Sequence, residues 1–266
     1  MSELDSSDLN ILLVEPSAVQ RKIIRNELNK ERVEDIDEAA TVADAQHRIA
    51  TIKPDLVISA LYFPDGSAMD LLSSIRSNPE VSDLPFMLIS SETRHSELDQ
   101  FKQSGVVAIL PKPFGHEHLA TALNSTLDLL SSDDLELELE YYDATSLRVL
   151  VVDDSRMARK VIRKVLENLS IEHITEAADG SEAIPLLPEG FDLIITDYNM
   201  PEVNGLELTK AVRSSSEYSH LPILMVSSEA NQAHLSNVAK AGVNAMTDKP
   251  FEPATVKKLL ANILEG

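Results

Sequence analysis

Short apolar runs alternate with helix-like patterns along the second half of the chain, and together they predict a series of strands and helices. The runs that predict buried strands are residues 149–152, 193–196, 223–226 and the stretch through Ala245, with a weaker run at 171–175. After the first run, apolar residues recur at the spacing of one helix face, at Ala158, Val161, Ile162, Val165, Leu166 and Leu169. Strands that alternate with helices favour a parallel sheet covered by helices on both faces.

The first half of the chain repeats this pattern. A shift of 138 positions places residues 10–17 on 148–155, and after one deletion a shift of 137 places 112–114 on 249–251. The apolar core positions also recur, at residues 11–14, Ile23, Ile24, Leu28, 56–58 and 87–89. The sequence therefore predicts two flavodoxin-like α/β domains of (βα)5 type, each doubly wound around a parallel five-stranded sheet of order 2-1-3-4-5.

An acidic segment joins the two copies. We assign residues 9–130 to the first domain, 131–146 to a linker and 147–266 to the second domain. Six acids and no base lie in 131–143, where Leu135, Leu137 and Leu139 alternate with Glu. This alternation has the period of a strand, yet Leu and Glu are also good helix formers. The segment is either a solvated tether or a specific acidic docking motif.

Charge and composition exclude several classes of protein. The 266 residues include 23 basic and 44 acidic side chains, which gives a formal net charge of −21, and no cysteine. This balance is unsuited to nucleic-acid binding, because phosphate contacts depend on clustered Lys and Arg. No apolar run approaches the roughly 20 residues of a membrane span, and the acidic start is unlike a secretory signal. We expect a cytoplasmic protein without membrane insertion.

Polar residues with candidate chemistry follow the predicted strands of the second copy. Asp153 and Asp154 follow the first strand, while Asp197, Ser227 and Lys249 end the third, fourth and fifth. In open α/β sheets the site forms beyond the carboxyl ends of the strands, so these side chains are expected to meet. Three carboxylates raise one another's pKa unless a cation joins them, and such an all-oxygen set suits Mg²⁺. Alternatively, an Asp-Asp-Ser sequence after a strand simply caps the following helix.

Four motifs of the second copy resemble those of a known family. They are Val-Leu-Val-Val-Asp153-Asp154-Ser, Thr-Asp197-Tyr-Asn-Met-Pro-Glu-Val-Asn-Gly205, Met-Val-Ser227-Ser-Glu and Asp-Lys249-Pro-Phe. In this order at strand ends they are similar to the CheY-like receiver domain of bacterial two-component response regulators. The resemblance covers residues 147–266, which is the whole second copy.

The resemblance implies a phosphorylation site. Asp197 is then the acceptor of a phosphoryl group from a histidine kinase or a histidine phosphotransfer protein. Lys249 pairs with a phosphoryl oxygen, and Ser227 is the switch hydroxyl. The peptide bond between Lys249 and Pro250 is expected to be cis. The expected Mg²⁺ ligands are Asp153, Asp154, Asp197 and the main-chain carbonyl of Asn199.

The resemblance also points to residues that affect the lifetime of the aspartyl phosphate and the contact with a signalling partner. Asn199 and Glu229 follow Asp197 and Ser227 by two residues, at positions where the family modulates attack of water on the aspartyl phosphate. Met246 replaces the usual aromatic switch residue on the fifth strand, so the family's aromatic coupling is not expected here. The first helix of this copy also has a basic stripe, which is either a solvated face or a docking surface for a kinase or phosphotransfer helix: Arg156, Arg159, Lys160, Arg163 and Lys164.

The first copy lacks the acceptor. The positions that match the acidic pair, the acceptor, the hydroxyl and the lysine are Glu15, Pro16, Ala60, Ser90 and Lys112. Alanine cannot accept a phosphoryl group and one carboxylate is a poor Mg²⁺ site, so this copy resembles a degenerate pseudo-receiver. Asp65, in the loop after Ala60, is a weak candidate for a substitute acceptor. We expect the copy to bind a partner or another receiver, within the chain or in a dimer.

Three functions fit these observations to different degrees. The leading interpretation is a response regulator without a separate output domain, which is not an enzyme beyond its own phosphorylation and dephosphorylation and signals by protein–protein contact. The first alternative is a constitutive scaffold or a phosphate sink in a phosphorelay. The second is a small phosphohydrolase with Asp197 as nucleophile, but Asn199 stands where haloacid-dehalogenase-like enzymes have a second acid.

Overall fold

The computed structural model describes residues 5–92, 95–130, 143–228, 238, 240–251 and 253–265. The chain divides into two compact units, one on each side of the segment 131–142. That segment contains most of the predicted linker, so the choice between strand and helix there falls outside the described residues, as does Glu229. A single turn of 3₁₀ helix, Ala144–Ser146, leads into the second unit.

The first unit is a doubly wound α/β fold around a parallel sheet. Its sheet strands are β1 (Asn10–Val14), β2 (Asp35–Ala39), β3 (Leu56–Ala60), β6 (Phe86–Ser90) and β7 (Ala108–Pro111). A hairpin pairs β4 (Tyr62–Phe63) with β5 (Gly66–Ser67), and the helices are α1 (Ala18–Lys30), α2 (Val42–Ile52), α3 (Ala68–Ser77), α4 (His95–Gln103) and α5 (His116–Leu130). The strand order β2-β1-β3-β6-β7 confirms the predicted order 2-1-3-4-5.

The second unit repeats this fold. Its strands are β8 (Arg148–Val152), β9 (His173–Ala177), β10 (Leu193–Asp197), β11 (Ile223–Ser227) and β12 (Ala245–Asp248). Its described helices are α6 (Arg156–Asn168), α7 (Gly180–Leu186), α8 (Gly205–Ser214) and α9 (Pro253–Glu265). The parallel order β9-β8-β10-β11-β12 again confirms 2-1-3-4-5. The strand predicted at 171–175 begins two residues later, because Ile171 still donates a backbone hydrogen bond to Leu166 at the end of α6.

The sheets are buried on both faces, as expected for parallel strands covered by helices. In β1, Ile11 and Leu13 belong to one apolar cluster, while Leu12 and Val14 belong to another. The first cluster includes side chains of α1 and α5, and the second includes side chains of α2 and α3. Alternate residues of β1 therefore pack into two apolar layers, one on each face of the sheet.

The apolar stripe predicted for the first helix of the second unit is confirmed. Each of its six members is exposed by 9% or less: Ala158, Val161, Ile162, Val165, Leu166 and Leu169. In α1 the corresponding prediction is correct for Ile24 and Leu28 but wrong for Ile23, which is 48% exposed. Ile24 and Leu28 take the core face of α1, while the packing of this unit leaves Ile23 exposed at the position where α6 buries Val161.

The hairpin β4–β5 is an element that the sequence does not predict. Its turn contains Asp65, whose carboxylate accepts the backbone N–H groups of Val42 at 2.9 Å and Ala43 at 3.0 Å. Hydrogen bonds from Ala43 and Val42 lower the pKa of Asp65. Asp65 therefore fixes the hairpin against the start of α2. Among the helices that the structure describes, none is long and apolar enough to cross a bilayer.

Candidate functional site

The parallel register of the second sheet brings the predicted site residues together. In β8 and β10, the residues that precede Asp153 and Asp197 pair with each other. In β10 and β11, Asp197 pairs with the residue before Ser227. In β11 and β12, Ser227 pairs with the residue before Lys249. The side chains expected to meet at the carboxyl edge are therefore neighbours.

Lys249 contacts two buried carboxylates. Its Nζ lies 2.7 Å from Asp153 Oδ2 and 3.2 Å from Asp197 Oδ2. Both aspartate side chains are fully buried, and the lysine side chain is 4% exposed. Asp154 is exposed, and one oxygen from each of the three carboxylates lies within 4.8 Å of the others. Three carboxylates and one ammonium leave a formal charge of −2 when all four groups are ionised.

In the loop after β8, the two carboxylate oxygens of Asp153 contact different groups. Asp153 Oδ1 accepts the backbone N–H of Ser155 at 2.8 Å, while Oδ2 faces Lys249. Ser155 in turn caps α6, because its hydroxyl accepts the backbone N–H of Ala158 at 3.2 Å. The alternative of a helix cap is thus correct for Ser155. Asp153 instead connects the loop to the lysine.

Burial controls the protonation of this cluster. Loss of solvation raises the pKa of Asp197 to about 7, although the attraction of Lys249 opposes the shift. Burial also raises the pKa of Asp153 against the same attraction. Burial alone would lower the pKa of Lys249, but contacts with Asp153 and Asp197 outweigh it and raise that pKa. Near neutral pH the lysine is charged and Asp197 is close to its titration midpoint.

Asp197 has the character of a cation ligand. Within the described parts of the chain, neither of its buried carboxylate oxygens has a hydrogen-bond partner, and Oδ2 has the ionic contact with Lys249. A buried carboxylate without hydrogen bonds is costly, and a divalent cation offsets that cost. Carboxylate oxygens suit Mg²⁺ better than Zn²⁺, which is bound more often through nitrogen and sulfur. The residues present therefore fit Mg²⁺.

The other predicted site residues differ in exposure. Ser227 is 1% exposed at the end of β11. Asn199 is exposed in the loop after β10, and Met246 is half-buried in β12 opposite Met225. The peptide bond between Lys249 and Pro250 is cis, as predicted.

The corresponding edge of the first sheet has a different charge balance. Lys112 Nζ lies 2.9 Å from Glu15 Oε2, and Glu15 Oε1 accepts the backbone N–H of Ser17 at 2.9 Å. Glu15 therefore makes both contacts that Asp153 makes in the second unit. Ala60 has a methyl group where Asp197 has its carboxylate. The pair of Glu15 and Lys112 is formally neutral, and Glu92 in the same pocket lining brings the formal charge to −1.

Two arginines of α6 bind one glutamate of β9, and we call this group the arginine clamp. The Nε atoms of Arg159 and Arg163 lie 3.0 Å and 2.6 Å from the two carboxylate oxygens of Glu176. Arg159 also donates to the main-chain carbonyl of Asp153 at 2.6 Å. Two members of the predicted basic stripe are therefore engaged within the unit. Arg159 links the clamp to the backbone of the acidic loop, while Arg163 donates to the main-chain carbonyl of Ile174 in β9.

The arginine clamp also exists in the first unit. Arg21 and Arg25 lie 3.3 Å and 2.8 Å from the carboxylate of Glu38, and Arg21 donates to the main-chain carbonyl of Glu15. The pairing of these arginines with a glutamate of the neighbouring strand was not predicted. The signal was present in the sequence, because two arginines and one glutamate recur at the shift of 138.

The fold and the site define a doubly wound α/β protein with a lysine and an acidic, cation-compatible cluster at the carboxyl edge of one sheet. The response regulator receiver domain family matches the chain twice, at residues 11–124 and 149–261. The chain therefore belongs to the response regulator receiver domain family, which confirms the resemblance seen in the sequence. Receiver domains act in two-component signalling and are mostly non-enzymatic. They generally bind Mg²⁺ at an acidic pocket and interact with histidine kinases or phosphotransfer proteins.

Single-receiver proteins are among the similar sequences. The chemotaxis protein CheY-3 of Vibrio cholerae is 40% identical over 121 residues, which is 45% of this chain and 93% of that protein. A CheY homolog of Campylobacter jejuni is 43% identical over 120 residues, which is 44% of this chain and 92% of that protein. The solved structure of the chemotaxis response regulator CheY4 of Vibrio cholerae is 38% identical, with a TM-score of 0.42, and the match covers 44% of this chain and 98% of that one.

Proposed function

We propose that the second receiver, residues 147–266, accepts a phosphoryl group on Asp197. The position of Asp197 is the observation that supports this most strongly. Its carboxylate is fully buried at the end of β10, 3.2 Å from the Lys249 ammonium, and lacks hydrogen bonds from the described residues. Oδ1, which faces neither Lys249 nor a hydrogen-bond donor of the described residues, keeps lone pairs for attack on phosphorus.

The proposed transfer assigns a role to each polar group of the site. A carboxylate oxygen of Asp197 forms a bond to phosphorus, while the bond from phosphorus to the donor's imidazole nitrogen breaks and leaves its electrons on that nitrogen. Lys249 pairs with a phosphoryl oxygen, and Ser227 donates a hydrogen bond to another. Because phosphoryl transfer depends mainly on positioning and charge neutralisation, a charged lysine held beside the acceptor is the group that the reaction needs.

The same cluster is proposed to hold Mg²⁺ through Asp153, Asp154, Asp197 and the main-chain carbonyl of Asn199. When bound, Mg²⁺ supplies neutralisation of negative charge at the acceptor. The formal charge of −2 on the four ionised groups supports the proposal that a cation is needed at this site. The pKa of Asp197, which burial raises to about 7, supports it as well. Asp197 must be ionised to attack, and a nearby cation favours its ionised form.

Magnesium is expected to stabilise the folded protein, because it relieves repulsion among the three carboxylates. At ten times its Kd, Mg²⁺ should add about 1.4 kcal/mol to the free energy of unfolding. Asp154→Ala should abolish this gain, since it removes the exposed member of the cluster without disturbing the buried pair. The measurement is thermal unfolding with and without Mg²⁺. The control Asp248→Ala removes another exposed acid, outside the cluster, and should retain the gain. An equal gain in Asp154→Ala would reject the site.

The first receiver, residues 9–130, is proposed to be a degenerate pseudo-receiver. Ala60 removes the acceptor, and Glu15 already binds Lys112 at 2.9 Å. Asp65 is engaged in hydrogen bonds to the start of α2, so it is a poor substitute acceptor. We propose that this receiver acts through protein contact, and that residues 131–146 connect it to the second receiver.

The phosphoryl donor is proposed to be a histidine kinase or a histidine phosphotransfer protein. Output is proposed to be protein–protein contact, which changes when Asp197 is phosphorylated. The relatives include proteins named for chemotaxis, so a chemotaxis-related pathway is the first setting to examine. Met246 argues against the aromatic switch of this family.

The test of the proposed function is incubation with Mg²⁺ and acetyl phosphate, followed by the mass of the intact protein. We expect one phosphoryl adduct per chain, and none in Asp197→Asn. The matched control is Asp65→Asn in the first receiver, which should gain the adduct like the parent protein. An adduct that persists in Asp197→Asn, or disappears in Asp65→Asn, would assign the acceptor elsewhere.

A further inference from the structure

A cavity of about 250 Å³ lies at the carboxyl edge of the first sheet. Its polar lining includes Glu15, Ser90 and Lys112, and its apolar lining includes Ala60, Leu61 and Ile89. This is the place that corresponds to the acceptor site of the second receiver. The proposed function gives it no ligand, because the first receiver has no acceptor.

The two lysines of the repeated site differ in how many carboxylates they contact. Lys249 has two, Asp153 and Asp197, and its side chain is 4% exposed. Lys112 contacts Glu15, the counterpart of Asp153, and its side chain is 23% exposed. The counterpart of the second carboxylate is missing, because residue 60 is alanine. The ammonium of Lys112 therefore has donor capacity directed at a site that a carboxylate fills in the other copy.

Among Glu15, Ser90 and Lys112, hydrogen-bond donors exceed the acceptors that are still available. Both oxygens of Glu15 already accept hydrogen bonds, from Ser17 and Lys112. The Ser90 oxygen accepts the backbone N–H of Glu92 at 2.9 Å, and within the described part of the chain its hydroxyl hydrogen has no acceptor. Lys112 has three N–H groups, of which one binds Glu15. A ligand that matches this cavity must bring acceptor oxygens.

Charge decides between a carboxylate and a phosphate. Glu15, Glu92 and Lys112 line the cavity and sum to −1, so a monoanion brings its charge to −2. That is the formal charge of Lys249 with Asp153, Asp154 and Asp197 in the second unit. A phosphate dianion would give −3 with no further cation, in a chain whose net charge is −21. We propose that the cavity binds a small monocarboxylate, whose carboxylate lies where the missing aspartate side chain would be and whose apolar part contacts Leu61 and Ile89.

The experiment titrates the full-length protein with butyrate at constant ionic strength and follows its backbone amide resonances. We expect saturable shifts at amides that line the cavity, such as those of Leu61, Ser91 and Lys112. Butyramide, which has the same shape but no charge, should give none. Lys112→Met should weaken butyrate binding at least about tenfold, since a charge-assisted hydrogen bond is lost. Lys22→Met changes the net charge equally at an exposed position of α1 and should not alter binding.

A second variant tests where the carboxylate lies. Ala60→Asp supplies a carboxylate from the chain itself and should abolish butyrate binding. If this variant loses its folded spectrum, the comparison of Lys112→Met with Lys22→Met decides alone. The proposal is overturned by an absence of saturable shifts, by equal shifts with butyramide, or by unchanged binding in Lys112→Met. Tighter binding of inorganic phosphate at the same amides would overturn the choice of a monocarboxylate. None of these outcomes depends on phosphorylation of Asp197.

Discussion

Replacing Gly205 with alanine is expected to destabilise the second unit by about 3 kcal/mol, because the added methyl group has no room. A Cβ at Gly205 would lie 2.1 Å from the main-chain oxygen of Asp197 and 3.2 Å from Thr196 Oγ1. The first obstacle is backbone, which cannot rotate away as a side chain could. The start of α8 or the end of β10 must therefore shift. Since the obstructing oxygen belongs to Asp197, phosphorylation should also slow.

The measurement is amide hydrogen exchange of the full chain, read separately for peptides of β8, β10 and β11. The control is Gly115→Ala in the first unit, where an added Cβ would have no atom within 4 Å. That variant should change protection little. The position that corresponds to Gly205 is Ala68, which is fully buried in a folded unit, so a methyl group is tolerated in the first copy. Unchanged protection of β10 in Gly205→Ala would show that the close approach relaxes without cost.

Lys249→Met should lower the free energy of unfolding of the second unit by roughly 3 to 5 kcal/mol in the absence of Mg²⁺. The substitution leaves Asp153 and Asp197 buried together without their ammonium. The folded state must then either bury two uncompensated negative charges or bind protons at these carboxylates. The expected result is lost protection in the strands of the second unit, with partial recovery when Mg²⁺ is added.

The pH dependence of this effect follows from the pKa of Asp197, which is about 7 in the folded protein against 3.8 for an unperturbed aspartate. Between these values the folded state binds more protons than the unfolded chain, so the free energy of unfolding falls as pH rises. Without Lys249 the carboxylates should hold protons to still higher pH. The loss caused by Lys249→Met should therefore be smallest near pH 4 and largest above pH 7.

The matched substitution in the first unit is Lys112→Met. Here one carboxylate loses its partner instead of two, and Glu15 retains the hydrogen bond from Ser17. The lysine is also more exposed, so less stability is expected to depend on it. A loss as large as that of Lys249→Met would mean that the second carboxylate has no part in the effect.

The sheet was predictable because its strands are short apolar runs between helical patterns, and because the pattern occurs twice. Residues 193–196 could be recognised as a buried strand for this reason. The hairpin β4–β5 was not predictable, because it depends on contacts from Asp65 to Val42 and Ala43, which are more than 20 positions away in the chain. Ile23 is a related case. Its counterpart Val161 is buried, so its exposure results from packing that helical spacing does not encode.

The site was predictable to the level of which side chains meet, since the carboxyl ends of parallel strands share one edge. The division of hydrogen bonds among oxygens was not predictable. Glu15 has one more methylene than Asp153, yet it makes the same two contacts, and this depends on side-chain reach. The raised pKa of Asp197 likewise depends on complete burial, which a sequence pattern does not measure.

The arginine clamp occurs in both units with two arginines and one glutamate, while only the second unit has Asp197. The clamp of the first unit can therefore serve as an internal control for the clamp of the second unit. A spectroscopic or exchange signal from Arg159, Arg163 and Glu176 can be compared with that of Arg21, Arg25 and Glu38 in the same sample, at the same temperature and salt. When a phosphoryl donor is added, a signal change limited to the second unit would result from chemistry at the carboxyl edge of its sheet. A change common to both units would result from the altered solution conditions.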